Sequence, residues 1–149
     1  MVEGPVKIAD VDLIKDSALL HKLDDRTAHI GVVGLGYVGL PTMLAVAEGG
    51  FRVTGVDIDE SRITRINAGK SYIEDIHNSM LSELVEGGRI SATSDFSVVS
   101  DLDVVLVCVP TPLTKNRQPD LEPMESAVNS IAENMRGEQL IVLQSTTYP

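Results

Sequence analysis

Gly34-Leu35-Gly36-Tyr37-Val38-Gly39 is the segment whose residue types and spacing most directly imply chemistry. Gly34 permits a tight strand-to-helix turn. Gly36 lacks a Cβ, so a diphosphate can approach the backbone, and Gly39 lets the following helix lie close to the strand before it. Backbone N–H groups at the helix start then face the phosphates, aided by the helix dipole. Pro41 falls in the first turn, where no N–H partner is lost. Such a motif alone is a weak signal, since glycines also serve packing in an ordinary strand–helix–strand unit. Here a strand precedes it, a helix follows, and an acid stands at the end of the next strand. That acid, Asp57, follows Gly39 by 18 residues, close to the ~20 of a ribose-binding carboxylate. Its carboxylate can accept both ribose hydroxyls, and its charge would repel a 2′-phosphate, which predicts NAD over NADP. Arg62 is the competing feature. It could hold a phosphate, lie along the adenine face, or pair with Asp57 or Asp59.

Ligands bind outside the carboxyl ends of strands in open parallel sheets, and two further strand ends carry polar groups. The apolar run 102–109 enters Pro110-Thr111-Pro112, a rigid turn with one hydroxyl to offer. The last run enters Ser145-Thr146-Thr147-Tyr148-Pro149. Each alone reads as a turn or a cap; at one predicted edge, together with the glycine loop and Asp57, they read as a cofactor site.

The elements that must position these residues alternate after Thr27. Strands are predicted at 28–34, 51–57, 89–94, 102–109 and 138–144. Helices are predicted at 42–50, 60–69 (capped by Asp59), 78–88, 95–100 and 121–137, with Asp120 capping the last. Alternation of this kind predicts an α/β fold, a Rossmann-type doubly wound parallel sheet. Residues 28–149 form that domain, and residues 1–27 an N-terminal helical extension with a helix over about 9–25, packed on the domain or on a partner chain.

Composition bounds the function. The 149 residues are 43% hydrophobic and 23% charged, as in a globular domain of ordinary size. With 12 basic against 22 acidic side chains the formal charge is −10, which argues against nucleic acid as a partner. No apolar run approaches the ~18 residues of a bilayer span. The acidic, interrupted start lacks a secretory pattern, so the expected location is the cytoplasm. The lone Cys108 excludes an internal disulfide and a cysteine-cluster metal site, and no metal is expected.

GLGYVGLP, GVDID, VCVPTPL with RQPDL, and QSTTYP together resemble the UDP-glucose/GDP-mannose dehydrogenase family over about residues 28–149. SYIEDI and the VPTPLTKNRQPDL loop look most like the branch that oxidises UDP-N-acetylglucosamine or a related UDP-N-acetylhexosamine. The resemblance implies oxidation of C6 of a nucleotide sugar, alcohol to carboxylate, with two NAD. The first hydride transfer gives an aldehyde. A cysteine later in the chain captures it, a second hydride leaves, and the thioester is hydrolysed.

Family cofactor positions map onto Gly34, Leu35, Gly36, Tyr37, Val38, Gly39, Asp57, Arg62, Val109, Pro110, Thr111, Pro112, Leu113, Ser145 and Thr147. Thr146 matches a catalytic threonine that holds water and substrate near the nicotinamide. The family's glutamate, lysine, asparagine and nucleophilic cysteine have no counterpart here, and Cys108 reads as inert packing inside an apolar strand. The 149 residues alone are therefore expected to bind NAD and oxidise nothing. The parent protein is expected to take a UDP-sugar and to be a homo-oligomer.

Other residues receive no chemical role at this stage. His21, His29 and His77 read as surface or strand-edge histidines. Asp24 and Asp25 read as solvated charges on a helix end, and Lys115 and Arg117 as loop charges. Tyr72, Ile73 and Glu74 could border the sugar, while Tyr37 can lie over the cofactor without doing chemistry. Alternatives are a UDP-glucose or UDP-N-acetylmannosamine 6-dehydrogenase, a non-catalytic NAD-sensing module, or a structural domain without ligand.

Overall fold

The structure is a computed structural model that describes residues 17–115 and 118–145. Helix α1 (Ala18–Asp24) leads into strand β1 (His29–Val33) and helix α2 (Gly39–Glu48). Strand β2 (Arg52–Val56), helix α3 (Glu60–Asn67), helix α4 (Asn78–Glu86) and strand β3 (Ile90–Thr93) follow. A 3₁₀ turn (Phe96–Asp101), strand β4 (Val104–Val107), helix α5 (Glu122–Asn134) and strand β5 (Leu140–Leu143) complete it. The five strands form one parallel sheet in the order β3-β2-β1-β4-β5. This is the predicted Rossmann-type α/β fold.

Both faces of the sheet are covered, which is why its central strands read as continuous apolar runs. Ile30, Val32, Val53 and Val104 pack with Leu40, Met43, Leu44, Ile63, Ile66 and Leu81 of α2, α3 and α4. On the other face Val33, Val56, Val105 and Val107 meet Val99, Leu102, Ala127 and Ile131. Gly31 faces this second layer, where a Cβ would run into Leu102. At the β5 end the sheet is open: Leu140, Ile141 and Leu143 are exposed.

Several expected boundaries shift, each for a local reason. The first Rossmann helix begins at Gly39, not at residue 42, because the Leu40 and Thr42 amides already donate to the Gly36 and Val38 carbonyls at 3.1 Å each. Strand 102–109 contracts to β4, since Asp103 ahead of it turns its carboxylate to the His29 amide, 2.9 Å away. Cys108 therefore lies just past the strand instead of within it. It is still buried, and its amide is bound to the Val33 carbonyl at 2.7 Å. The segment after Thr93 is a 3₁₀ turn whose amide at Ser97 donates to Asp95. Asp59 caps α3 through the Ser61 and Arg62 amides, and Asp120 accepts from Glu122 at 3.1 Å.

The described part of the N-terminal helix, α1, packs on the domain itself. Leu19 and Leu23 rest on the core, and Lys22 reaches the buried Asp103 at 2.7 Å. Residues 9–16 of the expected helix lie outside the described residues.

Candidate functional site

The glycine loop joins β1 to α2 at the carboxyl edge of the sheet. Gly34 has φ +90, a conformation glycine adopts without penalty, and a Cβ there would lie 2.8 Å from the Val109 amide nitrogen. At Gly39 a Cβ would collide with the Gly34 carbonyl oxygen. Gly36 is different: a Cβ there meets no atom within 4 Å. Its missing side chain therefore leaves room that the protein does not fill. The amides of Gly36, Tyr37 and Val38 have no acceptor among the described residues. Three unpartnered N–H groups beside open space at a helix start form a cradle for an anion. The diphosphate of a dinucleotide fits that donor set.

Leu35 behaves otherwise. Its side chain is fully buried, and its amide donates to Asp57 Oδ2 at 2.7 Å. Room for it comes from Gly55, where a Cβ would stand 2.8 Å from both Leu35 methyl carbons. Gly55 stands outside the glycine motif. A glycine inside a strand signals a close approach of this kind, and here it seats the turn of the loop.

Asp57 is 7% exposed and already accepts three protein donors: Leu35 N, Asp59 N at 2.9 Å and Arg62 Nη1 at 3.2 Å. A carboxylate has about four lone-pair sites. Accepting both ribose hydroxyls therefore requires Arg62, the half-exposed partner, to move aside. Of the three roles open to Arg62, pairing is the one adopted, with Asp57 and with Asp59 at 3.5 Å.

Beside Asp57 a groove of about 280 Å³ runs between the ends of β1, β2 and β4 and the start of α5. Ile58, Phe96, Val109, Pro110 and Pro123 give it apolar walls, and Ser126 and Ser130 a polar rim. This volume is near the lower end for ligand pockets, sized for one end of a dinucleotide. Ile58 is 86% exposed over it, an apolar face without a protein partner.

Not every predicted residue gathers here. Thr111 is half-buried, and Pro112 and Leu113 stand out on a loop closed by Asp120 N to the Pro112 carbonyl at 2.7 Å. Tyr37 and Val38 present exposed side chains, so their contribution to the cradle is the amide. Ser145 donates its hydroxyl to the Val109 carbonyl at 2.7 Å, tying the ends of β5 and β4 together. Thr146 and Thr147, like Arg117, lie outside the described residues. Tyr72, which could border the sugar, meets the glycine loop, where its hydroxyl donates to the Leu35 carbonyl.

Burial pushes the Cys108 thiol above its usual range, and its Sγ is 3.1 Å from Gln144 Oε1. A thiol so placed is a poor nucleophile. A second cleft, about 510 Å³ near Lys22, Asp103, Arg136 and Leu140, lies at the opposite edge of the sheet. Its charges satisfy one another, Asp103 holding Lys22 at 2.7 Å and Arg136 at 3.2 Å. Among the described residues no three His, Cys, Asp or Glu side chains converge as metal ligands, and no helix is long and apolar enough to cross a membrane.

Comparison with known proteins decides the family. The family model "UDP-glucose/GDP-mannose dehydrogenase family, NAD binding domain" matches residues 28–149. The chain belongs to this family. That domain is the family's NAD-binding domain, and it is the part of the chain that carries the glycine loop, Asp57 and the groove. An NDP-N-acetyl-D-galactosaminuronic acid dehydrogenase of Ralstonia nicotianae is 40% identical over 126 residues, 84% of this chain and 29% of that protein. A UDP-N-acetyl-D-mannosamine dehydrogenase of Escherichia coli is 39% identical over 121 residues, 80% of this chain and 28% of its own length. Among solved structures, a ternary complex of GDP-mannose dehydrogenase from Pseudomonas aeruginosa superposes with TM-score 0.76 at 36% identity, covering 80% of this chain and 29% of that one. A UDP-D-ManNAc dehydrogenase from Pyrococcus horikoshii gives TM-score 0.76 and 36% identity, with 81% and 29% covered. The chain thus spans under a third of the length of these relatives.

Proposed function

We propose that this chain is the coenzyme half of a 6-dehydrogenase that oxidises the C6 alcohol of a UDP-N-acetylhexosamine, UDP-N-acetylglucosamine or a close epimer, to a carboxylate. The observation that carries the coenzyme part is the open space at Gly36 beside the free amides of Gly36, Tyr37 and Val38. NAD bound there supplies a hydride acceptor. The chain's own residues do the rest of the binding: the amides hold the diphosphate, the Ile58–Phe96 groove takes the adenine, and Asp57 takes the ribose. Val109, Pro110 and Ser145 border the path toward the nicotinamide, and Thr146, next in sequence, is assigned the catalytic position. The sugar assignment is supported by relatives whose names carry an N-acetylated or N-acetyl-derived hexose.

Two titrations test the proposal. The 149-residue chain should bind NAD more tightly than NADP, and Asp57→Arg should narrow or reverse that preference. Preference of the wild type for NADP, or no binding of either, would defeat the coenzyme reading. The parent protein should reduce NAD fastest with a UDP-N-acetylhexosamine; a preference for UDP-glucose would defeat the substrate reading alone.

A further inference from the structure

Tyr72 lies in the segment between α3 and α4. Residues 71–73 fold on themselves there: Ser71 Oγ donates to the Ile73 carbonyl at 2.9 Å and accepts its amide at 3.0 Å, and Asn78 Oδ1 accepts the Ser71 amide at 2.8 Å. Ile73 is buried in the core and fixes the segment to the domain. Two guanidiniums lie over the Tyr72 ring, Arg62 Cζ at 5.9 Å and Arg65 Cζ at 5.6 Å from its centroid. Arg65 is itself held by the Ser71 carbonyl at 2.6 Å. From this mount the Tyr72 hydroxyl crosses to the glycine loop and donates to the Leu35 carbonyl.

That carbonyl shares one peptide unit with the Gly36 amide. A trans peptide is planar, and its C=O and N–H point in opposite directions; no peptide bond among the described residues is cis. Holding the Leu35 oxygen on one side therefore aims the Gly36 N–H at the other, where no described residue accepts it. The preceding peptide is fixed too, because the Leu35 amide is bound to Asp57. We infer that Tyr72 is a positioning residue for the coenzyme: its hydroxyl, by fixing the Leu35–Gly36 peptide plane, orients the Gly36 amide toward the diphosphate. Burial raises the phenol to about 12, so the hydroxyl remains a donor through the neutral range. The inference rests on the reading that the loop binds NAD.

Titration of wild type and Tyr72→Phe with NAD, ADP-ribose and adenosine tests it. The phenylalanine keeps the ring against the arginines and removes only the hydroxyl. Affinity for the two diphosphates should fall about fivefold, the size of one neutral hydrogen bond, while adenosine binding changes less than twofold. In ¹⁵N–¹H spectra the Gly36 cross-peak should move less on NAD addition in the variant.

Equal diphosphate affinity in Tyr72→Phe would overturn the inference and leave the NAD reading intact. Equal losses for adenosine and diphosphates, or an unfolded Tyr72→Phe, would overturn it too, since each makes Tyr72 a support of the whole domain. Failure of the wild type to bind NAD or ADP-ribose would instead sink the reading beneath it.

Discussion

A methyl group added at Gly36 or at Gly39 separates the coenzyme's space from the protein's own. At Gly39 the new carbon meets the Gly34 carbonyl oxygen, a backbone atom that cannot swing away. Helix α2 must back off the loop, and its buried face of Leu40, Met43, Leu44 and Ala47 goes with it. Overpacking of this kind costs about 1–3 kcal/mol, which in a chain of this size lowers Tm by roughly 2–12 °C. At Gly36 nothing lies within 4 Å, and the backbone is not in the left-handed region. Alanine there should leave Tm unchanged, or raise it by reducing the freedom of the unfolded chain, an effect of about 0.4–1 kcal/mol.

NAD binding should separate the two in the opposite sense. The Gly36 methyl stands where the diphosphate must approach, so Gly36→Ala should lose at least about tenfold in affinity, some 1.4 kcal/mol. Thermal melts with and without NAD read both quantities at once. At 100 times Kd the ligand stabilises wild type by about 2.7 kcal/mol, and at least about half of that shift should vanish in Gly36→Ala. A Gly36→Ala protein that kept the full NAD shift would refute the claim that this space belongs to the coenzyme. A Gly39→Ala protein with wild-type Tm would refute the packing argument.

Three further outcomes are expected. Burial first, and then the Arg52 charge, hold His29 below its usual pKa while its Nε2 lies 2.8 Å from Thr54 Oγ1. The neutral form is thus favoured in the fold, so its stabilisation is full above ~6.5 and lost as pH falls from there through the folded value. Urea midpoints between pH 7.5 and 5 should fall less in His29→Gln than in wild type. Asp103→Ala should destabilise the chain by about 2 kcal/mol, because it strands the His29 amide; its ion pairs with the half-exposed Lys22 and Arg136 add little. A urea midpoint equal to wild type would contradict this. Cys108 should react with a thiol reagent only at the rate of unfolding, checked by comparing labelling with and without denaturant.

The local signals, strand by strand and cap by cap, were legible because each depends on neighbours in sequence. The spacing of Gly34, Gly36 and Gly39, the strand before and the acid after pointed to the carboxyl edge of the sheet as the candidate coenzyme edge. The Asp59 cap on α3 needed only the residues that follow it. A turn, a helix start and a short apolar run are short-range physics, so composition and order state them directly.

What only the tertiary structure decided involves residues that meet across the fold. Leu35 sinks onto Gly55, Asp57 spends lone pairs on the Leu35 amide and Arg62, and Asp103 joins α1 to β1. Tyr72 reaches a carbonyl 37 positions away in sequence. Such contacts depend on which elements the sheet order β3-β2-β1-β4-β5 brings side by side. No periodicity within one segment encodes them, because the partners share space only after the chain has folded.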